Sequence, residues 1–368
     1  MKNIYYIPIE PLEERYTGQW FTEFPEEFDK AGFNTITVIG EALTDKVEVG
    51  TFLDINSTIA YKNSQMIKIA KLFQNKQIND GDIFFFGDTE FWGLESLRLM
   101  ADMNKVQIKI YSFLHAASYI DEDAFQIAQD YQKYTELGWI MSNDKVFVGS
   151  QHHKDVITKK RFNLATKEDK QILQDKIVVT GNPVFKNVYH KFPNVVKQDK
   201  IILPNRFDYE KRPNISLDIA IVLKRLHPSW EIVVTTSRDS FKSNKQWLID
   251  YALALEEQGI ITIKYNLTKE QYHKEIAESK VMLTTNTIEE TFGYCVVEAL
   301  EYNTYPLCPN SLSHPELVEN DKDLLYDDID DIVTKVEHLM TISGTKKVRC
   351  YNDKYYNTIA KIIKEIKS

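Results

Sequence analysis

The chain has 368 residues, more than the roughly 250–300 at which a single hydrophobic core usually stops growing, and this length predicts two domains. Its composition, 43% hydrophobic and 27% charged, is that of an ordinary globular protein, and no apolar run approaches the roughly 20 residues that span a bilayer. The net charge of -9 argues against a broadly basic protein that binds nucleic acid non-specifically, although a local basic groove stays compatible with it.

Cysteine usage and the absence of two sequence motifs further narrow the classes of protein to which the chain can belong. Cys295, Cys308 and Cys350 show neither metal-ligand spacing nor a disulfide framework, so we expect reduced thiols in a cytoplasmic protein. The first residues predict a buried strand rather than a signal peptide. Neither G-x-G-x-x-G nor a Walker loop occurs, which disfavours a dinucleotide-dependent oxidoreductase and a P-loop enzyme. The bias toward Lys, Ile, Asn, Tyr and Phe often accompanies AT-rich coding, as in many phages.

Strands and helices alternate along the first half of the chain. Short apolar runs predict strands at residues 4–7, 35–39, 82–86, 106–113, 145–148 and 176–179. Helical periodicity is found at residues 20–30, 64–73, 94–103 and 123–137. Continuous rather than alternating apolar runs are typical of strands covered on both faces, and they predict a parallel sheet.

A second series of the same kind follows a turn-rich stretch at residues 192–194. Strands are predicted at residues 200–203, 231–235, 260–265 and 281–284, and helices at 215–226, 245–258, 269–278, 294–302 and 355–366. We therefore predict an α/β protein with a Rossmann-like domain at residues 1–193, another at 194–345, and a C-terminal helix at 346–368. The parallel sheets of two such domains would face each other across a cleft, with ligands at the carboxyl ends of the strands.

Two glutamates flank the start of the predicted helix at residues 294–302. Glu290 lies in the loop before the helix and Glu298 inside it, so both carboxylates can reach one polyhydroxylated ligand. The amides at the helix start and the helix dipole favour a pyrophosphate there. The alternative is a pair of solvated glutamates beside an ordinary helix start.

The segment E-T-F-G-Y-C-V-V-E-A-L at residues 290–300 resembles the E-x7-E signature of retaining, glycogen-synthase-like (group 1) glycosyltransferases with the GT-B fold. The resemblance implies that Glu290 contacts the transferred sugar and that Glu298 binds the ribose hydroxyls. It also implies that the amides around Thr291, Phe292 and Gly293 hold the sugar and the phosphate. S-H-P-E-L-V at residues 313–318 follows at the expected place, whereas N-T-Y-P at 303–306 replaces the family's Gly-Thr-Pro.

Arg206 and Lys211 follow the predicted strand at residues 200–203 and resemble the family's G-R-x4-K loop, with Asn205 in place of the glycine. Arg offers a fork of donors and Lys a point charge, which together suit a diphosphate. The resemblance implies that these two cations, and no metal, neutralise the donor phosphates. A surface arginine and lysine without a ligand are the alternative.

The first half of the chain contains fewer candidate site residues than the second half. His115 ends a strand where the family often places a histidine near the transferred sugar, although a lone histidine is more often structural. Asp88 ends another predicted strand and is an acceptor-side candidate, or the N-cap of a helix. A loop after the first strand carries Arg15, Tyr16 and Gly18, which shape the acceptor site or the phosphate end of the donor, or merely surround Trp20. T-G-N-P-V-F at residues 180–185 resembles the family's hinge strand.

The resemblance implies transfer of a sugar from a nucleoside diphosphate, expected to be UDP, to an acceptor hydroxyl with retention of configuration. Glu290 then orients the sugar while Arg206 and Lys211 stabilise the leaving diphosphate. Our first hypothesis for the acceptor is a 5-hydroxymethylated pyrimidine in phage DNA, flipped out of the duplex. Lys159, Lys160, Arg161 and residues 242–245 are its candidate phosphate contacts.

The sequence is also compatible with other functions. The acceptor can be a glycan, a lipid or a small molecule. A nucleotide-sugar epimerase of the same fold would use the same donor site without any acceptor, and a non-catalytic sensor would bind the donor without turnover.

Overall fold

The computed structural model divides the chain into two compact units, one formed by residues 1–185 with 355–368 and the other by residues 186–354. The structure describes residues 2–11, 16–44, 54–121, 124–185, 189, 191–192, 194–236, 241, 243–288, 290–343 and 352–368. At residue 124 and residues 352–357 it describes the backbone only. Within these ranges no helix combines the length and the apolar character that a membrane crossing requires.

The first unit contains a six-stranded parallel sheet in the order β2-β1-β3-β4-β5-β6. Its strands are β1 (Asn3–Ile7), β2 (Asn34–Thr37), β3 (Ile83–Phe86), β4 (Lys109–Leu114), β5 (Lys145–Val148) and β6 (Ile177–Val179). Alternate side chains of a strand point to opposite faces, and Phe84, Phe85 and Phe86 are all fully buried. Both faces of the sheet are therefore covered, as the continuous apolar runs predicted.

Helices cover this sheet: α1 (Tyr16–Lys30), α2 (Ile55–Gln74), α3 (Leu94–Asn104), α4 (Gln129–Ser142), α5 (Gln151–Lys160) and α6 (Lys167–Lys176). Phe24 and Phe28 of α1 contact the ring of Phe85 with centroids 5.1 Å apart in each case. On the other face Phe84 stacks on Tyr5 at 4.9 Å. These aromatic contacts form the core beneath the carboxyl ends of β1, β3 and β4.

The second unit contains another six-stranded parallel sheet, in the order β12-β11-β10-β7-β8-β9. Its strands are β7 (Gln198–Leu203), β8 (Glu231–Thr235), β9 (Thr262–Lys264), β10 (Ser279–Leu283), β11 (Tyr305–Pro309) and β12 (Leu325–Tyr326). From β7 the chain proceeds to one side through β8 and β9, and it then returns to the other side with β10. The strand order thus reverses between β7 and β10, where ligands bind in open α/β sheets.

The helices of the second unit are α7 (Pro213–Leu226), α8 (Gln246–Glu257), α9 (Lys269–Glu278), α10 (Tyr294–Glu301), α11 (His314–Leu317) and α12 (Ile332–Ile342). Two of them begin with a recognisable sequence signal, α7 with a proline and α9 with a capping box. Pro213 occupies the first turn of α7, where its missing N–H has no intrahelical partner to lose. Thr268 and Gln271 form a reciprocal capping box that fixes the first turn of α9.

The terminal helix, α13 (Asn352–Lys367), belongs to the first unit from Tyr355 onward. The Thr358 hydroxyl donates to the carbonyl of Thr180 at 3.0 Å, and the Tyr111 hydroxyl donates to the carbonyl of Glu365 at 3.3 Å. The chain therefore returns to its first unit after completing the second.

The α/β class with two parallel sheets is confirmed, and all ten predicted strands are present. Several boundaries differ: α1 begins at Tyr16 and not at residue 20, and α2 begins nine residues before the predicted start at residue 64. Among the described residues, β11, β12, α5, α6, α11 and α12 had not been predicted.

Two glycines give a matched test of packing. A Cβ on Gly40 would lie 2.4 Å from the carbonyl oxygen and 2.6 Å from the ring of Tyr61, whereas a Cβ on Gly138 in α4 meets nothing within 4 Å. We expect Gly40→Ala to lower the free energy of unfolding by about 1–3 kcal/mol, because the backbone has to move. Gly138→Ala should raise it by about 0.5–1 kcal/mol, because alanine favours a helix interior. Urea denaturation of both variants checks this, and equal effects would contradict it.

Candidate functional site

The loops that follow β7 and β10 carry the predicted donor-site residues of the second unit. Since these neighbouring strands are parallel, their carboxyl ends lie at the same edge of the sheet, at the point where the strand order reverses. The Asn205 amide, after β7, donates to the Thr284 hydroxyl, after β10, at 2.7 Å. The residue that replaces the family's glycine thus ties the two loops together.

Lys211 and Glu290 come together at this edge. The Lys211 ammonium lies 2.7 Å from Glu290 Oε2, and the Asn286 amide donates to the same oxygen at 3.1 Å. Burial acts to raise the pKa of Glu290, but the charges of Lys211 and His314 and these hydrogen bonds outweigh it and hold the pKa below its usual value. The Lys211 and Glu290 side chains are 15% and 23% exposed, so both stay accessible to a ligand.

Arg206 also lies after β7, but its charge is held within its own loop. Its guanidinium donates to Asp208 Oδ2 at 3.1 Å and to Glu210 Oε1 at 2.8 Å, and half of the side chain is exposed. Burial raises the pKa of Glu210, against the effect of Arg206. A diphosphate that bound Arg206 would compete with these two carboxylates for the guanidinium.

The start of α10 supplies the remaining predicted donor contacts. Gly293 is the N-cap of the helix, and Phe292 is buried with its ring 5.1 Å from that of Tyr294. Thr291 is partly buried beside them. A Cβ on Gly293 would approach Leu317 and Val296 to 3.2 and 3.3 Å, so glycine is the residue that fits this position closely.

Glu298 is buried in α10 and has two partners that the sequence did not indicate. The Lys269 ammonium lies 2.9 Å from its Oε1, and the Tyr272 hydroxyl donates to its Oε2 at 2.8 Å. Burial acts to raise the pKa of Glu298, but Lys269, His273 and these hydrogen bonds lower it. Neither Lys269 nor Tyr272 belongs to a motif; the capping box fixes the first turn of α9, which carries them, but not the packing of that helix beside α10.

The departure from the family after α10 has a backbone explanation. Asn303 follows the C-cap of the helix with φ of +54°, in the left-handed region that glycine normally supplies. Asparagine tolerates this region better than other residues with a Cβ. The replacement of the family's glycine therefore leaves the backbone turn intact.

In the first unit, the structure brings His115 and Tyr16 together. The imidazole Nε2 donates to the Gly87 carbonyl at 2.8 Å, which leaves Nδ1 of the neutral ring to accept from the Tyr16 hydroxyl at 3.2 Å. Burial lowers the pKa of His115, and Asp88 offsets this only in part. The ring also lies 4.8 Å from that of Trp20. These groups form an aromatic cluster at the carboxyl end of β4.

The other acceptor-side candidates have different outcomes. Gly18 lies in the first turn of α1 and not in a loop, because that helix begins at Tyr16. Arg15 lies outside the described residues. Asp88 is not a helix N-cap, since the N-cap of α3 is Gly93. Its Oδ2 instead pairs with the buried Lys62 ammonium at 2.7 Å, and its Oδ1 accepts from the Glu90 amide at 3.1 Å.

One candidate DNA contact is wrong. Arg161 is 7% exposed and pairs with the buried carboxylate of Glu136, while its guanidinium lies over the ring of Tyr119. It is therefore part of the core and not of a phosphate-binding surface. Lys160 is bound to Asp121 at 2.8 Å, whereas Lys159 and Lys245 are exposed. Lys242 lies outside the described residues.

The second unit is similar in sequence to known glycosyl transferases. The family model "Glycosyl transferases group 1" matches residues 186–355, a little under half of the chain. A curated relative, the tRNA-queuosine alpha-mannosyltransferase of Drosophila melanogaster, is 26% identical over 119 residues. That match covers 32% of this chain and 30% of the relative, so the chain spans about a third of the length of this relative.

Solved structures extend the similarity to the whole chain. Sucrose-phosphate synthase from Thermosynechococcus elongatus superposes with a TM-score of 0.67 at 12% identity, covering 100% of this chain and 96% of the other. The Anabaena protein HepE, solved in complex with UDP and glucose, gives 0.63 at 13% identity and covers 100% and 98%. The chain therefore has the GT-B fold, and its second unit matches the group 1 glycosyl transferases in sequence.

Proposed function

From a chain of GT-B fold whose second unit matches the group 1 glycosyl transferases, we propose a glycosyltransferase that moves a sugar from a UDP-sugar to an acceptor hydroxyl with retention. The observation that carries the proposal is the Lys211–Glu290 pair, 2.7 Å apart at the edge where the strand order of the second sheet reverses. A cation and a carboxylate at that edge suit the two ends of the reacting bond, the leaving phosphate and the sugar hydroxyls.

The donor site follows from the charges at this edge. Arg206 and Lys211 supply positive charge for the diphosphate in place of a metal ion, and the amides around Gly293 face the same ligand at the start of α10. Glu298 binds the ribose. The choice of UDP is supported by HepE, whose structure contains UDP and glucose.

Glu290 acts as an orienting group. Its lowered pKa keeps it ionised at neutral pH, so it accepts hydrogen bonds from sugar hydroxyls, while Lys211 lies beside it to stabilise the charge that develops on the departing phosphate. Retention is proposed from the resemblance to the E-x7-E glycosyltransferases. The acceptor hydroxyl attacks from the face that the phosphate leaves, and the departing phosphate takes the proton of that hydroxyl.

For the acceptor we propose a 5-hydroxymethylated pyrimidine in DNA as the first substrate to test. The phage-like composition supports it, and the curated relative is, by its name, a mannosyltransferase of queuosine in tRNA, another modified base in a nucleic acid. Of the candidate phosphate contacts, Lys159 and Lys245 are exposed, whereas Arg161 is buried. The family match favours transfer over epimerisation, because the matched family and the curated relative are both transferases.

The test incubates the protein with UDP-glucose, UDP-galactose, UDP-N-acetylglucosamine and GDP-mannose. Acceptors are duplex DNA containing hydroxymethylcytosine or hydroxymethyluracil, unmodified DNA, tRNA and an oligosaccharide mixture. Mass spectrometry of nucleosides reads the product and a coupled assay reads the released nucleotide. We expect a sugar-sized mass increase on modified DNA that survives EDTA and disappears in Glu290→Gln, with the exposed Glu257 on α8 as the matched site for a control, Glu257→Gln.

A different experimental result would contradict each part of the proposal. A product on tRNA or on oligosaccharide keeps the transferase and overturns the DNA acceptor. Conversion of the donor into an isomeric nucleotide sugar without an acceptor shows epimerisation and overturns transfer. Loss of activity in EDTA contradicts the metal-free site, and an inverted anomeric configuration by NMR contradicts retention.

A further inference from the structure

Both carboxylate oxygens of Glu298 are bound by side chains of one neighbouring helix. The Lys269 ammonium contacts Oε1 at 2.9 Å and the Tyr272 hydroxyl contacts Oε2 at 2.8 Å. The two residues are three apart on α9 and therefore lie on the same helix face. The Thr268–Gln271 capping box fixes the first turn of that helix, so Glu298 is held from a rigid element.

Exposure differs sharply across this contact. The Glu298 side chain is 11% exposed, whereas that of Lys269 is 41% exposed. The ammonium carries three N–H donors, and one of them is directed to Glu298. Each carboxylate oxygen has two lone pairs and accepts one of these two hydrogen bonds. The ammonium donor of Lys269 and the carboxylate acceptor of Glu298 thus lie side by side, and the lysine is the more exposed of the two.

This arrangement is complementary to two neighbouring hydroxyl groups. In a vicinal diol, one hydroxyl can donate to the carboxylate while the oxygen of the other accepts from the ammonium. A sugar that carries only one of these hydroxyls leaves one of the two hydrogen bonds to the pair unmade, which costs affinity because the site is partly desolvated.

We propose that Lys269 recognises the ribose diol of the donor nucleotide beside Glu298, the residue already assigned to the ribose, and that Tyr272 is the positioning residue that fixes the Glu298 carboxylate. The proposal rests on the proposed function, since it assigns part of the same donor site. It gives Lys269 a direct contact with the nucleotide and makes the site selective for ribose over 2′-deoxyribose.

The experiment measures the dissociation constants of UDP and 2′-deoxy-UDP by calorimetry. We expect the unchanged chain to bind UDP at least about tenfold more tightly, the range expected when a charged group loses its hydrogen-bond partner. Lys269→Met should weaken UDP binding about tenfold and leave 2′-deoxy-UDP nearly unaffected, so that the preference falls to about threefold or less.

The matched control is Lys274, a lysine of the same helix that also pairs with a glutamate, Glu278, at 3.8 Å. Lys274→Met should leave both dissociation constants unchanged. Lys269→Ala, which also removes the donor, gives the same comparison if the methionine variant fails to fold. An equal loss of affinity for the two nucleotides would overturn the inference, because a merely structural lysine does not distinguish them.

Tyr272→Phe tests the positioning role through pH. The groups that face Glu298 are Lys269, Tyr272 and His273 from α9, Cys295 from α10, and Tyr189. Binding needs the ionised carboxylate, so UDP affinity falls as the pH drops through the lowered pKa of Glu298. Removing the Tyr272 hydroxyl lets that pKa rise, and the fall should begin at a higher pH than in the unchanged chain.

The outcomes separate the two proposals. An unchanged pH profile in Tyr272→Phe overturns its positioning role. If the unchanged chain binds neither UDP nor 2′-deoxy-UDP, the UDP-sugar donor of the proposed function is itself wrong. If it binds both and Lys269→Met keeps their ratio, only the inference about Lys269 is wrong.

Discussion

Replacement of Lys211 by methionine is expected to reduce the kcat of sugar transfer by about 10²–10³-fold, the loss typical when a group that stabilises transition-state charge is removed. The variant removes the ammonium that lies 2.7 Å from Glu290 while keeping most of the side-chain volume. Glu290 then loses the main charge that lowers its pKa, so that this pKa rises. Both effects act on the chemical step.

Steady-state kinetics with saturating donor measure this change. Lys224→Met serves as the control. Lys224 lies in the last turn of α7, where its ammonium donates to the carbonyl of Trp230 at 2.8 Å. It should keep kcat within about twofold. A Lys211→Met enzyme whose kcat stays within about threefold, with only KM for the donor increased, would show that Lys211 binds substrate and transition state equally.

Replacement of Arg161 by methionine is expected to destabilise the first unit by about 3–5 kcal/mol, because it leaves the buried charge of Glu136 uncompensated. Glu136 is 3% exposed, and its Oε1 accepts from both the amide and the hydroxyl of Ser118, at 2.8 and 2.6 Å. The Arg161 guanidinium donates to the same hydroxyl at 3.1 Å. The network therefore joins three chain segments.

Thermal and urea denaturation measure the loss. The double variant Arg161→Met with Glu136→Gln should regain part of it, because the neutral amide oxygen still accepts from Ser118 while the uncompensated charge is gone. The exposed Lys159 gives the control, since Lys159→Met should stay within about 0.5 kcal/mol. If Arg161→Met melted like the unchanged protein but bound DNA more weakly, the assignment of Arg161 to the core would be wrong.

The sequence predicted the sheets better than the helices, for physical reasons. Strands such as β3, buried on both faces, appear as continuous apolar runs. The unpredicted helices α5 and α6 are mostly polar, so their 3.6-residue periodicity is faint, and the caps Ser150 and Thr166 were the remaining signals. In β11, Pro306 and Pro309 argue against a strand, although Pro306 pairs in register with Met282 of β10.

The same distinction applies to the candidate site. Residues that directly follow strands, such as Lys211 and Glu290, could be placed at one edge because parallel strands share their carboxyl ends. The partners of Glu298 depend on how α9 packs beside α10, which no local pattern specifies. Arg161 shows the converse error, because a run of three basic residues does not reveal that the third points into the core.

The return of α13 to the first unit has a consequence for the order of biosynthesis. Residues 186–354 are inserted, in topological terms, between the main part of the first unit and its last helix. During translation, the six strands of the first unit leave the ribosome early, yet the helix that donates from Thr358 to the Thr180 carbonyl follows only after the whole second unit. Domains generally fold as units during synthesis. The second unit can therefore complete its fold first, while the nascent first unit waits for its closing segment.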